Sequence, residues 1–158
     1  MEEGIDVAVR LGTLDDASYK ARLLGHEELV VVGAASVVGK RVPNTVDDLL
    51  DRDAVVLVRR GVPTRWTFRE DGVPRVVTLS GRLHVDNVVA AYHAVRAGLG
   101  ISVVPSYLAE DDLRSGAVVR CLPDVPLVAL PVHGVYLATR RLSAKAQGFL
   151  DDLAAIIG

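Results

Sequence analysis

Cysteine is nearly absent from this 158-residue chain. Cys121 is the sole one, so no disulfide closes within the chain and a disulfide-stapled scaffold is excluded. A single thiol fits a reducing compartment. Aromatic residues are scarce, with Phe, Trp and Tyr together making up 4%. No apolar run approaches the roughly 18 residues of a membrane-spanning helix, so no membrane partner is expected. Met1-Glu-Glu-Gly4 is acidic and lacks the apolar stretch of a signal peptide, which points to a cytoplasmic protein. Excess charge of either sign is missing too: 18 Lys and Arg stand against 20 Asp and Glu, a net charge of −2. Global attraction to nucleic acid is therefore not expected, and no basic stripe or recognition helix offers direct DNA binding.

What the chain does have is valine, leucine and arginine. With 28 Val, 20 Leu and 14 Gly, its composition suggests buried parallel strands alternating with helices. Fifteen of the 18 basic residues are Arg. Arg suits bidentate recognition of carboxylate or phosphate, although a GC-rich coding sequence accounts for the same bias.

Strands are expected at Ile5–Val9, Leu29–Gly33, Ala54–Val58, Ile101–Pro105, Val118–Leu122 and Val132–Ala138, with a loop over Thr13–Lys20. Thr45 and Asp48 have the spacing of a capping box at a short helix start. Arg65–Arg69 and Val76–Ser80 alternate around Asp71-Gly72, the signal of a hairpin, here with a loop longer than two residues. Asp86-Asn87 opens a helix carrying Val88, Val89, Tyr92 and Val95 at helical spacing, and Gly98 closes it. A short helix spans Leu108–Leu113. The tail from Ser143 to Ile157 reads as an amphipathic helix with Ala146, Phe149, Leu150, Leu153 and Ile157 on one stripe. Strands alternating with helices give a mixed α/β protein.

Catalytic signatures are missing. His26, His84, His93 and His133 lie far apart, with no metal-ligand spacing, so neither a metal nor a cofactor is expected. Gly98-Leu-Gly100 precedes a strand, the reverse of a dinucleotide loop, and Gly100-Ile-Ser-Val-Val104 lacks the second glycine of a nucleophile elbow. Asp15-Asp16, Asp47-Asp48, Asp111-Asp112 and Asp151-Asp152 read as solvated capping pairs. With no nucleophile–base pair, an enzyme is not expected. Two features suit a small anion. Arg59-Arg60 follow a buried strand, and Arg10 stands in the same relation to the first strand. Ligands gather beyond the carboxyl ends of strands in open α/β sheets, although solvated loop arginines are the plainer alternative. The helix start at Asn87 offers backbone N–H groups to a carboxylate, although Asp86 beside it argues against a purely anionic ligand, and Asn87 itself either caps that helix or reaches a ligand.

Taken in order, several segments resemble the effector-binding domain of LysR-type transcriptional regulators. They are Gly4-Ile-Asp-Val-Ala-Val-Arg10, Leu29-Val-Val-Val32, Pro43-x-x-Val-x-Asp-Leu49, Trp66-x-Phe68, Ala97-Gly-Leu-Gly-Ile101, Val104-Pro105, Gly116-x-Val-Val-Arg120 and Val135-Tyr136. The helix from Ser143 to Leu153 completes the series. The resemblance implies two α/β lobes of the type 2 periplasmic-binding-protein kind, with a small-molecule effector in the cleft between them. Residues 28–137 would form a complete lobe, and 1–27 with 138–158 an incomplete one, with crossings near Glu28 and Tyr136.

The cleft would be lined by Arg10, Leu11 and Gly12, by Arg59 and Arg60, and by Asn87, with Val58 and Val104 as apolar walls. The family's winged helix-turn-helix and the opening strands of the first lobe have no counterpart in these residues, so DNA would be reached only through another domain. The implied role is effector sensing for transcription. The alternative is a stand-alone binding or oligomerisation module that acts on a full-length regulator. An incomplete lobe leaves a strand edge exposed, so pairing with a second copy or another polypeptide is expected.

Overall fold

The computed structural model describes residues 5–14, 18–59, 61–139 and 141–157. In chain order these form β1 (Ala8–Leu11), β2 (Tyr19–Glu27), β3 (Leu29–Ala34), α1 (Ala35–Val38), a 3-10 turn (Asp47–Leu49), β4 (Ala54–Arg59), β5 (Val62–Pro63), β6 (Trp66–Glu70) and β7 (Val73–Val77). β8 (Gly81–Val85), α2 (Val88–Arg96), β9 (Ile101–Pro105), α3 (Ser106–Ser115), β10 (Val118–Cys121), β11 (Leu130–Leu137) and α4 (Ala144–Ile157) follow. The chain divides into two units, Glu28–Val128 and Met1–Glu27 with Ala129–Gly158.

In the unit Glu28–Val128 the sheet runs β10-β3-β9-β4, and β4 also pairs β8 and β5. The near-continuous valines of β3 are explained by burial on both faces, because successive side chains point to opposite sides. Val30 and Val32 enter one core with Val55, Val104 and the α2 and α3 residues Ala91, Tyr92, Val95 and Ala109. Val31 enters the other core with Val38, Leu49, Val56, Trp66, Phe68 and Ile101. Helices cover the first face. The β6–β7 hairpin brings Trp66 and Phe68 to the second, so few aromatics suffice.

The parallel arrangement suggested by composition holds only for β4 with β8 and β9, since β3 pairs antiparallel with both β9 and β10. The hairpin loop is two residues, with Glu70 opposite Val73. Asp71 and Gly72 take φ of 49° and 80°, the two left-handed positions that a type I′ turn demands, so the predicted longer loop is corrected. β8 falls in a stretch that the sequence pattern leaves unassigned. The capping box forms as expected: Thr45 N donates to Asp48 Oδ2 at 2.9 Å, and Asp48 N to Thr45 Oγ1 at 3.3 Å.

The other unit is a three-stranded antiparallel sheet, β1-β11-β2, with α4 packed on one face. Its core is small: Leu24, Val132 and Leu150, with Val7, Leu11, Leu142, Leu153, Ala154 and Ile157 against it. Gly134 allows α4 close, because a Cβ there would sit 2.4 Å from Leu150 Cδ2. Ser143 Oγ accepts from Ala146 N at 3.2 Å and caps α4 as predicted.

Four expectations are corrected in this unit. The first strand begins at Ala8 rather than Ile5. β2 starts at Tyr19, inside the expected loop. Phe149 is half exposed rather than on the buried stripe. The second crossing lies at Val128–Ala129, not near Tyr136, because β11 pairs along its whole length with β2.

Candidate ligand-binding face

β4, β8 and β9 run parallel, so their carboxyl ends share one end of the sheet. Arg59 closes β4 there, exposed and opposite Val62, and carries an interaction of its own. β8 leads through Asp86 and Asn87 directly into α2, and β9 leads through Pro105 into α3. Two helix starts, each with a partial positive charge, therefore stand at the same end as Arg59.

Asn87 caps: its Oδ1 accepts from Val89 N at 2.9 Å and Ala90 N at 3.1 Å. Those two amides are thereby committed, which narrows the expected anion site at α2 and leaves the side-chain NH2 of Asn87 for a further contact. α3 differs, since it begins on Pro105 with no side-chain cap, and Ser106 N donates to Glu28 O at 2.9 Å. Sequence reasoning passed over this second helix start, although Pro followed by Ser after a buried strand could have marked it.

The remaining predicted residues separate. Val58 is half buried at the end of β4. Val104 is fully buried in the core under α2 and α3, so it supports this end of the sheet from beneath instead of standing as the apolar wall expected of it. Arg60 lies outside the described residues, as do Asp15 and Asp16. Arg10, Leu11 and Gly12 belong to the other unit. Arg10 is exposed opposite His133, Leu11 packs on the α4 core, and Gly12 N donates to Pro131 O at 2.9 Å.

Acidic pairs read as solvated caps do other work. Asp112 Oδ2 accepts from Tyr92 Oη at 2.6 Å and pairs with Arg96 Nε at 2.9 Å, tying α2 to α3. Burial, with the Asp112 hydrogen bond second, pushes the Tyr92 phenol up to about 12. Asp47 pairs with Arg75, and Asp151 with Arg22 at 2.5 Å. Asp48 does cap, and the N–H groups of Thr45 and Asn44 hold its carboxyl below its ordinary range.

No chemistry gathers elsewhere among the described residues. Ser102 is buried and its Oγ donates to Val55 O at 2.8 Å, so it is a core hydroxyl. Cys121 is buried, and desolvation pushes its thiol up to about 11. No group of three His, Cys, Asp or Glu side chains converges as metal ligands would. A concavity of about 430 Å³, lined by Val38, Leu50, Asp51, Arg52, Ser80 and Gly98 among others, opens at the amino ends of β4 and β9, away from Arg59. There Gly100 has φ +148°, and a Cβ would lie 2.4 Å from Asp53 O. The Ala97–Ile101 motif is thus a packing requirement rather than a binding loop.

Comparison with known proteins yields one family, described as LysR substrate binding domain, matching residues 1–156. The HTH-type transcriptional regulator PtxR of Pseudomonas aeruginosa is 28% identical over 98% of this chain and 50% of its own. An HTH-type transcriptional repressor of P. aeruginosa strain UCBPP-PA14 is 31% identical over 96% of this chain and 49% of its own. The chain therefore spans about half the length of the curated relatives it matches. Among solved structures, the CrgA regulatory domain of Neisseria meningitidis shares the fold at a TM-score of 0.81 and 20% identity, over 98% of this chain and 76% of that one. The AphB regulatory domain of Vibrio vulnificus superposes at 0.71 with 26% identity, over 95% and 75%. No helix among the described residues is long and apolar enough to cross a membrane.

Proposed function

Because the chain belongs to the LysR substrate-binding domain family, we propose that it senses a small-molecule effector in the cytoplasm and reports occupancy to a DNA-binding domain outside these 158 residues. The effector class that this face suits is a carboxylate. The observation that carries the reading is the placement of Arg59 and the starts of α2 and α3 at one end of three parallel strands. A guanidinium and helix termini together favour an anion. Asn87 contributes through its amide donors and Val58 through apolar contact, and Arg60 is proposed from its place after Arg59 in the sequence. Arg10, Leu11 and Gly12, in the other unit, are proposed as ligand contacts on the family resemblance alone. Binding shifts the balance between conformations only by the difference in affinity for them.

Thermal unfolding with a panel of small carboxylates and their amides tests this. A carboxylate at about 100 times its dissociation constant is expected to raise Tm by roughly 5–10 °C, from about 2.7 kcal/mol of linkage. Arg59→Ala is expected to weaken that ligand about tenfold or more, and its neutral amide to have little effect. A panel that leaves Tm unmoved, or an amide as effective as its acid, overturns the carboxylate reading. The second reading, a binding or oligomerisation module acting on a full-length regulator, is favoured by the edge of β1, which has β11 on one side only among the described residues.

A further inference from the structure

The parallel strands β4, β8 and β9 have two ends of opposite electrical character. At their carboxyl ends the start of α2 shares one end of the sheet with Arg59, and an anion is favoured. The concavity of about 430 Å³ lies where these strands begin, and Asp53, Ser80 and Gly100, the residues just before them, all line it. Three helical segments finish there. Val37 and Val38 are the last residues of α1, Leu50 closes the Asp47–Leu49 turn, and Gly98 follows the end of α2. The last carbonyls of a helix lack partners within it and carry a partial negative charge. Their convergence favours a cation.

The side chains agree. Val38 and Ile101 are fully buried and make an apolar floor, while Val37 and Leu50 stand about half exposed. Three charged side chains line the concavity, and two of them are engaged. Arg52 donates to Arg41 O at 2.6 Å, and Asp53 pairs with Arg82 at 3.1 Å. The Asp51 carboxylate has neither hydrogen bond nor ion pair among the described residues, and the Ser80 hydroxyl is likewise unengaged. The charge left over is negative and sits beside exposed aliphatic surface.

We propose that this concavity is a second ligand site, which takes a small organic ammonium ion with an apolar body, of the alkylamine or arylalkylamine class. An ammonium has three donors and no acceptor. Asp51 and Ser80 accept from it among the helix-end carbonyls, while its hydrocarbon lies on Leu50, Val37 and the floor. At about 430 Å³ the volume falls within the roughly 300–1,000 Å³ of small-molecule pockets. A bare metal ion is not suited, because no group of three His, Cys, Asp or Glu converges among the described residues. A carboxylate meets Asp51 as a like charge. One wall is set by packing: Gly98 has φ +80°, a Cβ there would lie 3.2 Å from Val37 Cγ2, and Ile101 N donates to Asp53 O at 2.9 Å. The glycine turn gives the concavity its shape, and Asp51 gives it selectivity.

Titration with hexylammonium, followed by amide NMR, tests this, with hexanol and hexanoate as controls of equal length. Hexylammonium is expected to shift the amides of residues 51–53 and 98–101 saturably and to leave those of Val89 and Ala90 in place. Hexanoate is expected to leave residues 51–53 unmoved. Asp51 is exposed, so Asp51→Asn is expected to keep the far-UV spectrum and to weaken hexylammonium about tenfold, with a smaller loss for Ser80→Ala. Arg59→Ala is expected to leave hexylammonium binding unchanged, so this proposal and the carboxylate reading of the opposite end fail independently. Hexanol binding as tightly as hexylammonium overturns the proposal, as does full affinity in Asp51→Asn. So do shifts confined to the Arg59 end, or the absence of any saturable shift.

Discussion

The two units solve the same problem with different means. A sheet hides its backbone and apolar side chains only when both faces are covered. In Glu28–Val128, α2 and α3 cover one face, while the β6–β7 hairpin and the Asp47–Leu49 turn cover the other, giving a core on each side of the valine strands. In the unit holding β1, β2 and β11, α4 supplies one cover and, among the described residues, the core is built on Leu24, Val132 and Leu150. Burial per residue is what offsets chain entropy, so the two-core unit is the more self-sufficient. The single-core unit relies on fewer contacts among its described residues.

Truncating one core residue in each unit is the largest test of this difference. Phe68 is fully buried among Trp66, Leu49 and Val56. Phe68→Ala is expected to cost about 3–5 kcal/mol, and Leu150→Ala about 2–3, because a small core has less to lose and more room to relax. Trp66 is the sole tryptophan and sits in the two-core unit, so its fluorescence in urea reads that unit. Amide exchange along β2 and β11 reads the other. Phe68→Ala is expected to move the Trp66 midpoint strongly. Leu150→Ala is expected to speed exchange in β2 and β11 first. If Leu150→Ala moves the Trp66 midpoint as far as Phe68→Ala does, the chain unfolds as one block and the contrast fails.

The same contrast explains what the sequence could disclose. Local chemistry was legible: the Thr45–Asp48 box, the Asp71-Gly72 turn, the Asn87 and Ser143 caps, and the valine strands each depend on residues a few positions apart. β8 and the outer part of β2 were not, because Gly81–Val85 and Tyr19–Glu27 alternate weakly and are strands only through distant partners. Phe149 was misplaced because an apolar residue at helical spacing need not face a core that covers only part of the helix. Of the site, Arg59 and Asn87 stand where strand ends and a helix start put them. Burial of Val104 and commitment of Asp112 to Tyr92 and Arg96 required packing between helices that spacing cannot express.

Capping offers a smaller comparison, since each unit has a helix whose first turn is held by one side chain. Asn87→Ala is expected to cost about 1 kcal/mol, and Asn87→Gly only a few tenths, because glycine accepts the extended backbone of the cap position. Ser143→Ala on α4 is expected to cost about 0.5–1 kcal/mol through its single 3.2 Å bond. Trp66 fluorescence reads the first pair, and amide exchange at the start of α4 the last. Should Asn87→Ala weaken carboxylate binding while stability is unchanged, its role is contact with the ligand rather than the cap.

The last difference is a side-chain tie that the two-core unit can make because it has two adjacent helices. Tyr92 bridges α2 to α3 through Asp112, with Arg96 on the same carboxylate oxygen. Desolvation first, and the carboxylate acceptor second, favour the neutral phenol, and its ionisation moves up to about 12. The folded value lies above the unfolded value near 10, so the stabilising effect is complete below about pH 10 and lost as pH rises through 12. Absorbance titration is therefore expected to show one phenol ionising near 12 and to lose it in Tyr92→Phe. The Trp66 urea midpoint is expected to fall between pH 10 and 12, and to fall less in that variant. An unshifted phenol at position 92 would mean that the tie is open in solution, and that α2 and α3 are held by their apolar faces alone.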